Sequence, residues 1–411
     1  MSEQQHHFDT LIIGGGIAGL WLANRLQSAG YNLLLLEQSG LGDQQSMASQ
    51  GMIHGGVKYA LSGALTGASE AIADMPAHWA ACLKGEGDVD LRGAQVLSQH
   101  FYMWASQSVT SRITTFFASK ALRGRVDSLK PDQYPPLLAA AGQSFDLYKL
   151  VDVVLDVPSV IEALARNLSG RTRTIDWQHA HLEQGENGIS LAIEQNGERH
   201  RIHAKKMIFT AGRGNEALLA ASGCQRPAMQ LRPLQQVMVK HDLGYEFYGH
   251  CLGADKTPRL TISSHPARDG DTVWYLGGSL AEQGATQSPA ELITTAQSEL
   301  AALMPWLDFT RAEWATLPIA RAEPRQRNFA RPDQAFAARA QRDDGAPTNI
   351  LVGWPTKLTL APNMANSLMA LLQEDGIEPS GQPSDCEFLP PAPLAHTPWD
   401  SAFNLIDETP A

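Results

Sequence analysis

Cysteine is scarce in this chain, and long apolar runs are absent. The 411 residues include four cysteines, Cys82, Cys224, Cys251 and Cys386, without a Cys-x-x-Cys pair or a spacing typical of metal ligands. We therefore predict no metal site, and reduced thiols of the kind found in cytoplasmic proteins. No apolar run approaches the roughly 20 residues that a membrane-spanning helix needs, so we expect no transmembrane segment.

Positive charge is also limited. The sequence has 32 Lys and Arg against 43 Asp and Glu, a formal net charge of −11. Such a surface repels a phosphate backbone, so we expect no nucleic-acid partner. Hydrophobic residues make up 43% of the chain, a proportion typical of globular proteins, and the length is sufficient for two domains.

The most informative motif lies at residues 10–38. Residues 11–13 have the composition of a buried parallel strand, and Gly14, Gly16 and Gly19 then fit the pattern Gly-x-Gly-x-x-Gly. The first glycine permits a tight turn, the second lets the backbone approach a pyrophosphate, and the third lets a helix pack on the strand.

A helix and a second strand complete this motif. Residues 20–27 are predicted to be helical, with the amino end directed at phosphate groups. Residues 33–36 have the composition of a buried strand, and Glu37 follows them, where a carboxylate can accept hydrogen bonds from ribose hydroxyls. The motif predicts an ADP-containing dinucleotide and leaves both FAD and NAD open.

A second glycine-rich segment, residues 46–59, follows a loop of small polar residues. Its sequence from Ser49 is Ser-Gln-Gly-Met-Ile-His-Gly-Gly-Val-Lys-Tyr. It resembles the flavin-contacting segment of the D-amino-acid oxidase superfamily, and especially the His-Gly-Gly-x-Arg-Tyr of FAD-dependent glycerol-3-phosphate dehydrogenases, with Lys58 in place of arginine. The resemblance implies FAD as the cofactor. It leaves two interpretations of His54, either a group beside the flavin or a ring held by backbone in a tight turn.

Three later segments are similar to further cofactor-contacting parts of the superfamily. Residues 174–182 are expected to form one short strand that presents backbone to the adenine, and residues 206–212 a buried strand beside the adenosine. Residues 353–362 are expected to meet the flavin before a helix at about 362–372. Backbone N–H groups there, and Lys357, would stabilise negative charge on a reduced flavin. The alternative for Lys357 is a solvent-exposed loop lysine.

An arginine for the substrate is implied by residues 314–336. They resemble the segment that returns from the substrate domain, where an arginine commonly meets the acid group of the substrate. Arg321 fits that position and Arg325 is its rival, because a guanidinium binds carboxylate or phosphate through two parallel hydrogen bonds. In the alternative, Arg321, Arg325 and Arg327 form a solvated basic face paired with Glu313 and Glu323.

The predicted site therefore has a catalytic and a cofactor-binding part. The catalytic residues are His54, Arg321 and Lys357. The residues expected to bind FAD are Gly14, Gly16, Ala18, Gly19, Glu37, Gln38, Ser46, Ser49, Gly51, Met52, Ala180, Ala211, Gly212, Lys357, Leu358 and Thr359.

The predicted fold class is α/β, a Rossmann-type FAD-binding domain like that of glutathione reductase with an inserted antiparallel α+β substrate domain. Antiparallel strands are predicted at 231–241, 258–265 and 272–278, and a long helix at 288–303. The FAD-binding domain is assigned to 1–95, 145–228 and 319–375, and the substrate domain to 96–144 and 229–318. Residues 376–411 form a C-terminal extension that wraps the surface or is partly mobile.

The resemblance implies an FAD-dependent oxidoreductase that moves hydride from a C–N or C–OH carbon of a small acidic substrate to the flavin. Positioning alone can support this chemistry, so no acid–base pair is required. An amine or amino acid is favoured by the compact chain. Glycerol 3-phosphate or a 2-hydroxy acid is the alternative, and a flavin-dependent tRNA-modifying protein or a redox-inert FAD carrier is less favoured. We expect O2 or a quinone as electron acceptor.

Overall fold

The computed structural model describes residues 3–56, 72–105, 126–185, 188–253, 257–381, 384 and 386–406. Strands and helices are numbered in chain order within these residues. Two large sheets dominate the fold, one mainly parallel and one mainly antiparallel. Among the described residues, no helix combines the length and the apolar character needed to cross a bilayer.

Five parallel strands form the centre of the first sheet. Their order is β9-β2-β1-β12-β21, and each of the four neighbouring pairs is parallel. A hairpin pairs with the first half of β12, and one further strand covers β21 in antiparallel register. The strands are β1 Gln4–Ile13, β2 Leu33–Glu37, β9 Thr172–Thr174, β10 Ala180–Gly185, β11 Gly188–Gln195, β12 Glu198–Phe209, β19 Phe336–Arg339 and β21 Ile350–Trp354.

The sequence of β2 shows why this sheet is covered on both faces. Its four leucines are all buried, and alternate leucines enter opposite cores. Leu33 and Leu35 pack in the core that contains helices α1, α4 and α8, whereas Leu34 and Leu36 pack beside Phe209 and other residues of the opposite face. A parallel sheet needs such cover on both faces because crossover segments lie on each side. The helices are α1 Ile17–Ser28, α2 Met75–Lys84, α3 Pro136–Ala139, α4 Val157–Asn167, α5 Asn215–Ala221, α6 Ser279–Gly284, α7 Pro289–Leu303, α8 Ala361–Glu374 and α9 Pro398–Ala402.

The second sheet has the order β18-β14-β17-β16-β15-β5-β7-β6, and all its pairs are antiparallel except β15 with β5. Helix α7 covers one face, where Leu292, Ala296 and Leu300 share a core with Val237 and Leu276. The strands are β5 Phe101–Ala105, β6 Val126–Ser128, β7 Leu147–Leu150, β14 Met229–His241, β15 Gly249–Leu252, β16 Leu260–Pro266, β17 Thr272–Gly277 and β18 Glu313–Pro324.

Several predicted elements are confirmed. The strands expected at 231–241, 258–265 and 272–278 are β14, β16 and β17, and the helix expected at 288–303 is α7. Helix α7 begins with a reciprocal capping box between Ser288 and Glu291. The remaining strands are β3 Met52–Ile53, β4 Val96–Ser98, β8 Val153–Leu155, β13 Cys224–Arg226 and β20 Gln341–Arg342.

The single strand predicted at 174–182 is wrong. The chain instead leaves β9 at Thr174, turns, and enters β10 at Ala180. The turn forms because the Gln178 N–H donates to the Asp176 carboxylate at 2.9 Å, which draws the backbone away from strand geometry. Only the second of these strands carries the predicted adenine-side residue, Ala180.

The domain boundaries remain a prediction, and one pairing bears on them. Strand β7, at Leu147–Leu150, lies in the antiparallel sheet, although the prediction assigned residues from 145 onward to the FAD-binding domain. The C-terminal extension wraps the surface in its described part. The Leu41 N–H donates to the Pro393 carbonyl at 2.7 Å. Trp399 is buried and stacks on His265 at 4.6 Å between ring centroids.

Candidate active site

A cavity of about 720 Å³ is lined by residues of both sheets. The carboxyl ends of β1, β2, β12 and β21 reach it from the parallel sheet. Strands β14, β16 and β18 contribute from the antiparallel sheet, together with α6. Ligands of open α/β sheets bind outside the carboxyl ends of the strands, so the cavity lies where a dinucleotide is expected.

Sixteen of the eighteen predicted site residues line this one cavity, and Gly19 and Gly51 do not. A Cβ atom on Gly19 would lie 2.0 Å from the Gly14 carbonyl oxygen, and one on Gly51 would lie 2.1 Å from the Leu155 carbonyl oxygen. Both glycines therefore permit close backbone packing behind the cavity. The lining residues are Gly14, Gly16, Ala18, Glu37, Gln38, Ser46, Ser49, Met52, His54, Ala180, Ala211, Gly212, Arg321, Lys357, Leu358 and Thr359.

The glycine-rich turn opens the amino terminus of α1 toward the cavity. Gly14 has φ +111°, and a Cβ atom there would lie 2.5 Å from the Cα of Ala211, so only glycine fits. Gly16 is the N-cap of α1 and offers no side chain to it. The Ser46 hydroxyl accepts from the Ile17 N–H at 3.0 Å. The arrangement forms a cradle suited to a phosphate group at a helix amino terminus.

Glu37, the last residue of β2, is held in the cavity wall by backbone N–H groups. Its carboxylate accepts from the Gly15 N–H at 2.6 Å, the Gln38 N–H at 2.8 Å and the Ser39 N–H at 3.0 Å. The bond from Gly15 ties the end of β2 to the glycine-rich turn.

Two predicted flavin segments meet at Thr359. The Thr359 hydroxyl donates to the Met52 carbonyl at 3.2 Å and accepts from the His54 N–H at 3.1 Å. The Nδ1 atom of His54 forms a hydrogen bond of 3.2 Å with the buried Asp152 carboxylate, which also accepts from the Gly55 N–H at 2.8 Å. The His54 ring is thus held by a carboxylate at the cavity wall. Residues 57–59 of the family-like segment lie outside the described part of the chain.

Arg321 lies in the cavity wall and Arg325 does not. Arg321 is half-buried, and its Nη1 atom has no hydrogen-bond partner among the described residues. Burial, together with the positive charges of Arg331 and Arg232, lowers the pKa of Arg321 to about 10. Arg325 is exposed, with its guanidinium 5.8 Å from the ring centroid of Phe329. Of the two competing positions, the structure places Arg321 at the cavity.

The alternative in which these arginines pair with Glu313 and Glu323 is wrong. Glu323 instead accepts two bonds from Arg232, at 2.8 and 2.7 Å, and Glu313 accepts from Lys240 at 2.9 Å. Both acids already have cationic partners, which leaves Arg321 available to a ligand.

Lys357 also faces the cavity. It is half-buried, and its ammonium group donates to the Asp333 carbonyl at 3.4 Å. Burial lowers the pKa of Lys357 to about 8, with a further contribution from Arg331. The half-buried position in the cavity wall does not fit the solvent-exposed alternative, and the role of Lys357 toward the flavin stays a prediction.

Sequence reasoning missed a polar row on the antiparallel sheet. His250 pairs with Thr261, Thr261 pairs with Gly277, and Gln236 lies beside Gly277 because Val237 pairs with Leu276. His250, Thr261, Gly277 and Gln236 line the cavity. Strand alternation separates Gln236 from Val237, yet the sequence does not show which face α7 covers.

A second polar group lies outside the cavity lining. His78, Cys82 and Asp88 place one potential ligand atom each within 4.8 Å of one another. Cysteine spacing did not indicate this group, because Asp88 returns to the helix from the following turn. Arg25 forms an ion pair with Asp88, and Asp88 raises the pKa of His78 to about 10. The acid of this group is thus already occupied by two cationic partners.

A Gly-rich turn on a parallel sheet, with a second sheet closing the same cavity, defines a dinucleotide-dependent oxidoreductase. The chain belongs to the family of FAD dependent oxidoreductases, whose model matches residues 9–340. The cofactor is therefore FAD, and the predicted preference for FAD over NAD is confirmed. The predicted α/β class with an antiparallel second sheet is confirmed as well.

Relatives of known sequence and structure agree with this family. A probable FAD-dependent oxidoreductase of Pseudomonas aeruginosa is 48% identical over 396 residues, 96% of this chain and 98% of that one. A crystal structure of an FAD dependent oxidoreductase from that organism has a TM-score of 0.82 at 42% identity, covering 98% and 100% of the two chains. Glycine oxidase of Geobacillus kaustophilus has a TM-score of 0.62 at 16% identity, covering 90% and 95%, which shows a shared fold.

Proposed function

We propose that this enzyme oxidises a small amine or amino acid that carries an acid group, and that Arg321 binds the acid group. The observation that supports this most directly is the Arg321 guanidinium, which lines the cavity with Nη1 unpartnered among the described residues. A buried donor of this kind is costly unless a ligand completes its hydrogen bond. Carboxylate is the group that guanidinium recognises through two parallel bonds.

The residues at the other end of the cavity fit the ADP half of FAD. The α1 amino terminus at Gly16 would receive the pyrophosphate, Glu37 the ribose hydroxyls, and Ala211 and Gly212 the adenosine. The residues around Met52 and Thr359 would hold the flavin ring. When bound, FAD supplies the hydride acceptor.

Local charge favours an anionic substrate in spite of the acidic surface. Four basic residues, Arg213, Arg321, Arg331 and Lys357, line the cavity against three acids, Glu37, Asp43 and Glu282. The chain as a whole carries a formal charge of −11. A locally positive cavity concentrates anions, so the substrate reaches Arg321 with its acid group leading.

An amine requires little else from the protein. Arg321 fixes one end of the molecule, the cavity walls exclude water, and the C–N carbon is held in place. We also propose that O2 or a quinone reoxidises the enzyme, that the protein acts in the cytoplasm, and that it has no nucleic-acid partner, in line with its charge.

An anaerobic screen tests the proposal. Purified enzyme is mixed anaerobically with amino acids, N-methyl amino acids and 2-hydroxy acids, and the flavin absorbance is followed. The amide of each acid is measured in parallel. We expect at least one amino acid or N-methyl amino acid to bleach the flavin. The amide of that compound should bleach the flavin far more slowly. Equal bleaching by acids and amides would overturn the role of Arg321.

A 2-hydroxy acid or glycerol 3-phosphate is the second candidate, and the His54–Asp152 hydrogen bond favours it. An imidazole oriented by a carboxylate can accept the proton of a substrate hydroxyl. Asp152→Asn keeps an oxygen for the Gly55 N–H while removing the negative charge. Hydroxy-acid oxidation should then slow by about 10²-fold or more, whereas amine oxidation should change little.

A further inference from the structure

Gln236 lines the cavity and has a buried amide oxygen without a hydrogen-bond partner among the described residues. Gln236 is 6% exposed and lines the cavity wall. No hydrogen-bond donor in the described part of the chain reaches its Oε1 atom. Buried amide oxygens are nearly always paired, because an unpaired one loses its water without compensation. An orphaned acceptor at a ligand cavity indicates that a ligand provides the donor.

The strand geometry directs Gln236 to the substrate side. Its neighbour Val237 packs in the core under α7, so Gln236 points to the opposite face of β14. The adjacent Gln235 is hydrogen-bonded to the Thr316 hydroxyl at 2.9 Å and does not line the cavity. Two neighbouring glutamines thus serve opposite faces of one sheet.

Two polar side chains near Gln236 are engaged with other groups of the sheet. The Nδ1 atom of His250 bonds the Thr261 hydroxyl at 2.8 Å. Gln50 donates to the Tyr275 carbonyl at 2.8 Å, and Gly277 has no side chain. The acceptor of Gln236 therefore remains available in this polar row.

Gln236 and Arg321 are complementary in chemistry and separate in position. Arg321 offers only donors, and Gln236 Oε1 offers only an acceptor. Arg232 lies opposite Arg321 in the β14–β18 register, and Gln236 is four residues further along β14. That offset corresponds to roughly 13 Å of backbone, so the two side chains start from separate points of the cavity wall.

We propose that Gln236 Oε1 accepts a hydrogen bond from the amine N–H of the substrate, while Arg321 holds its acid group. This proposal rests on the proposed function and adds a second specificity-determining residue to it. A site built to bond a donor rejects an isostere that lacks it, because the acceptor is then left unpaired. Gln236 thus selects an amine acid over an aliphatic acid of the same shape.

Three matched pairs of probes test this selection: glycine with propionate, β-alanine with butyrate, and 4-aminobutyrate with valerate. Each pair replaces a methyl group by an ammonium group at constant length. Dissociation constants are measured anaerobically from the change in flavin absorbance of the holoenzyme. We expect the amino member of at least one pair to bind about tenfold more tightly. The chain length of the pair that shows this preference gives the spacing between the acid group and the amine that the site accepts.

Two variants and one control assign the preference to Gln236. Gln236→Met should remove the preference and leave the affinity for the aliphatic acid unchanged. Gln236→Glu should enlarge the preference, because a carboxylate attracts the ammonium group more strongly. Gln235→Met, on the opposite face, should keep the wild-type preference. FAD content should equal that of the wild type in all three.

The possible failures are distinguishable. If acids bind in an Arg321-dependent manner but no pair shows a preference, the role of Gln236 is overturned and the proposed function stands. If Gln236→Glu weakens the amino members, the amide nitrogen faces the acid group and the proposal is likewise overturned. If no acid perturbs the flavin at all, the proposed function itself fails.

Discussion

Arg232 and Arg321 stand opposite each other in the β14–β18 register, and Arg232 has a carboxylate partner while Arg321 has none among the described residues. Glu323, the partner of Arg232, lies on the same strand as Arg321, two residues further along the chain. Arg232 is therefore part of the structure of the sheet. Arg321, on the same pair of strands, is left with an unpartnered donor in the cavity wall, which is the basis of its assignment to the substrate.

Arg321→Lys should weaken binding of the acid substrate and leave FAD bound. Lysine keeps the charge and loses the bidentate geometry. The loss of binding free energy should be about 1.5–3 kcal/mol, which is the typical contribution of a hydrogen bond to a charged group. It should appear mainly as a higher KM. Arg325→Lys is the matched control, because Arg325 is exposed outside the cavity lining, and it should behave as the wild type. The reverse pattern would assign the role to Arg325.

Gly16→Val should abolish retention of FAD. Already a Cβ atom at Gly16 would lie 3.1 Å from the Ser46 hydroxyl, and the branched side chain would fill the cradle at the α1 amino terminus. Gly185→Val is the control, since Gly185 is an exposed strand residue away from the cavity lining. FAD content after gel filtration gives the result. A yellow Gly16→Val protein with normal FAD content would contradict the assigned pyrophosphate site.

Lys357→Met should lower the reduction potential of the bound flavin. A positive charge in the loop before α8 stabilises the anionic reduced flavin, and its removal makes reduction harder. Lys84→Met provides the control, because it removes the same charge from an exposed position at the end of α2. Equilibrium redox titration measures both. Equal potentials for wild type and Lys357→Met would place the lysine away from the flavin.

Binding of an inert acid such as propionate should weaken as pH rises through about 8. Burial, followed by the charge of Arg331, holds the pKa of Lys357 at about 8, below its ordinary 10.5, against the opposing effect of Asp333. Lys357 is thus charged below this pH and neutral above it, while Arg321, at about 10, stays charged. Dissociation constants between roughly pH 6.5 and 9.5 measure the effect. Lys357→Met should flatten the profile, and an unaltered profile would exclude Lys357 as its source.

The glycine-rich turn and the position of Glu37 were predictable because their rules are local. Gly14 must adopt positive φ, Gly16 must leave space at a helix end, and Glu37 must follow a buried strand, so each residue type follows from its own backbone position. Arg321 was proposed from its place in a segment that resembles the superfamily. Its availability required the structure, because Glu323 pairs with Arg232 through cross-strand register.

The substrate side was not predictable in the same way. Gln236 occupies the cavity because α7 covers the Val237 face of β14, and a strand pattern of alternating residues is compatible with either orientation. The turn after Thr174 depends on the hydrogen bond between the Asp176 side chain and the Gln178 N–H. This bond competes with the strand geometry that the sequence of residues 174–182 favours. The approach of Asp88 to His78 is likewise tertiary and leaves no trace in residue spacing.

The most direct test is the anaerobic rate of flavin reduction by an amine acid from the screen, compared with that by its amide, in the wild-type enzyme. We predict that the acid reduces the flavin rapidly and that the amide does so at least tenfold more slowly at equal concentration, because the amide cannot engage Arg321 as an anion. Arg321→Lys should narrow this difference. Equal rates of flavin reduction by the acid and by the amide would contradict the role of Arg321. A flavin that is reduced by dithionite but by none of the amines or hydroxy acids would contradict the proposed function.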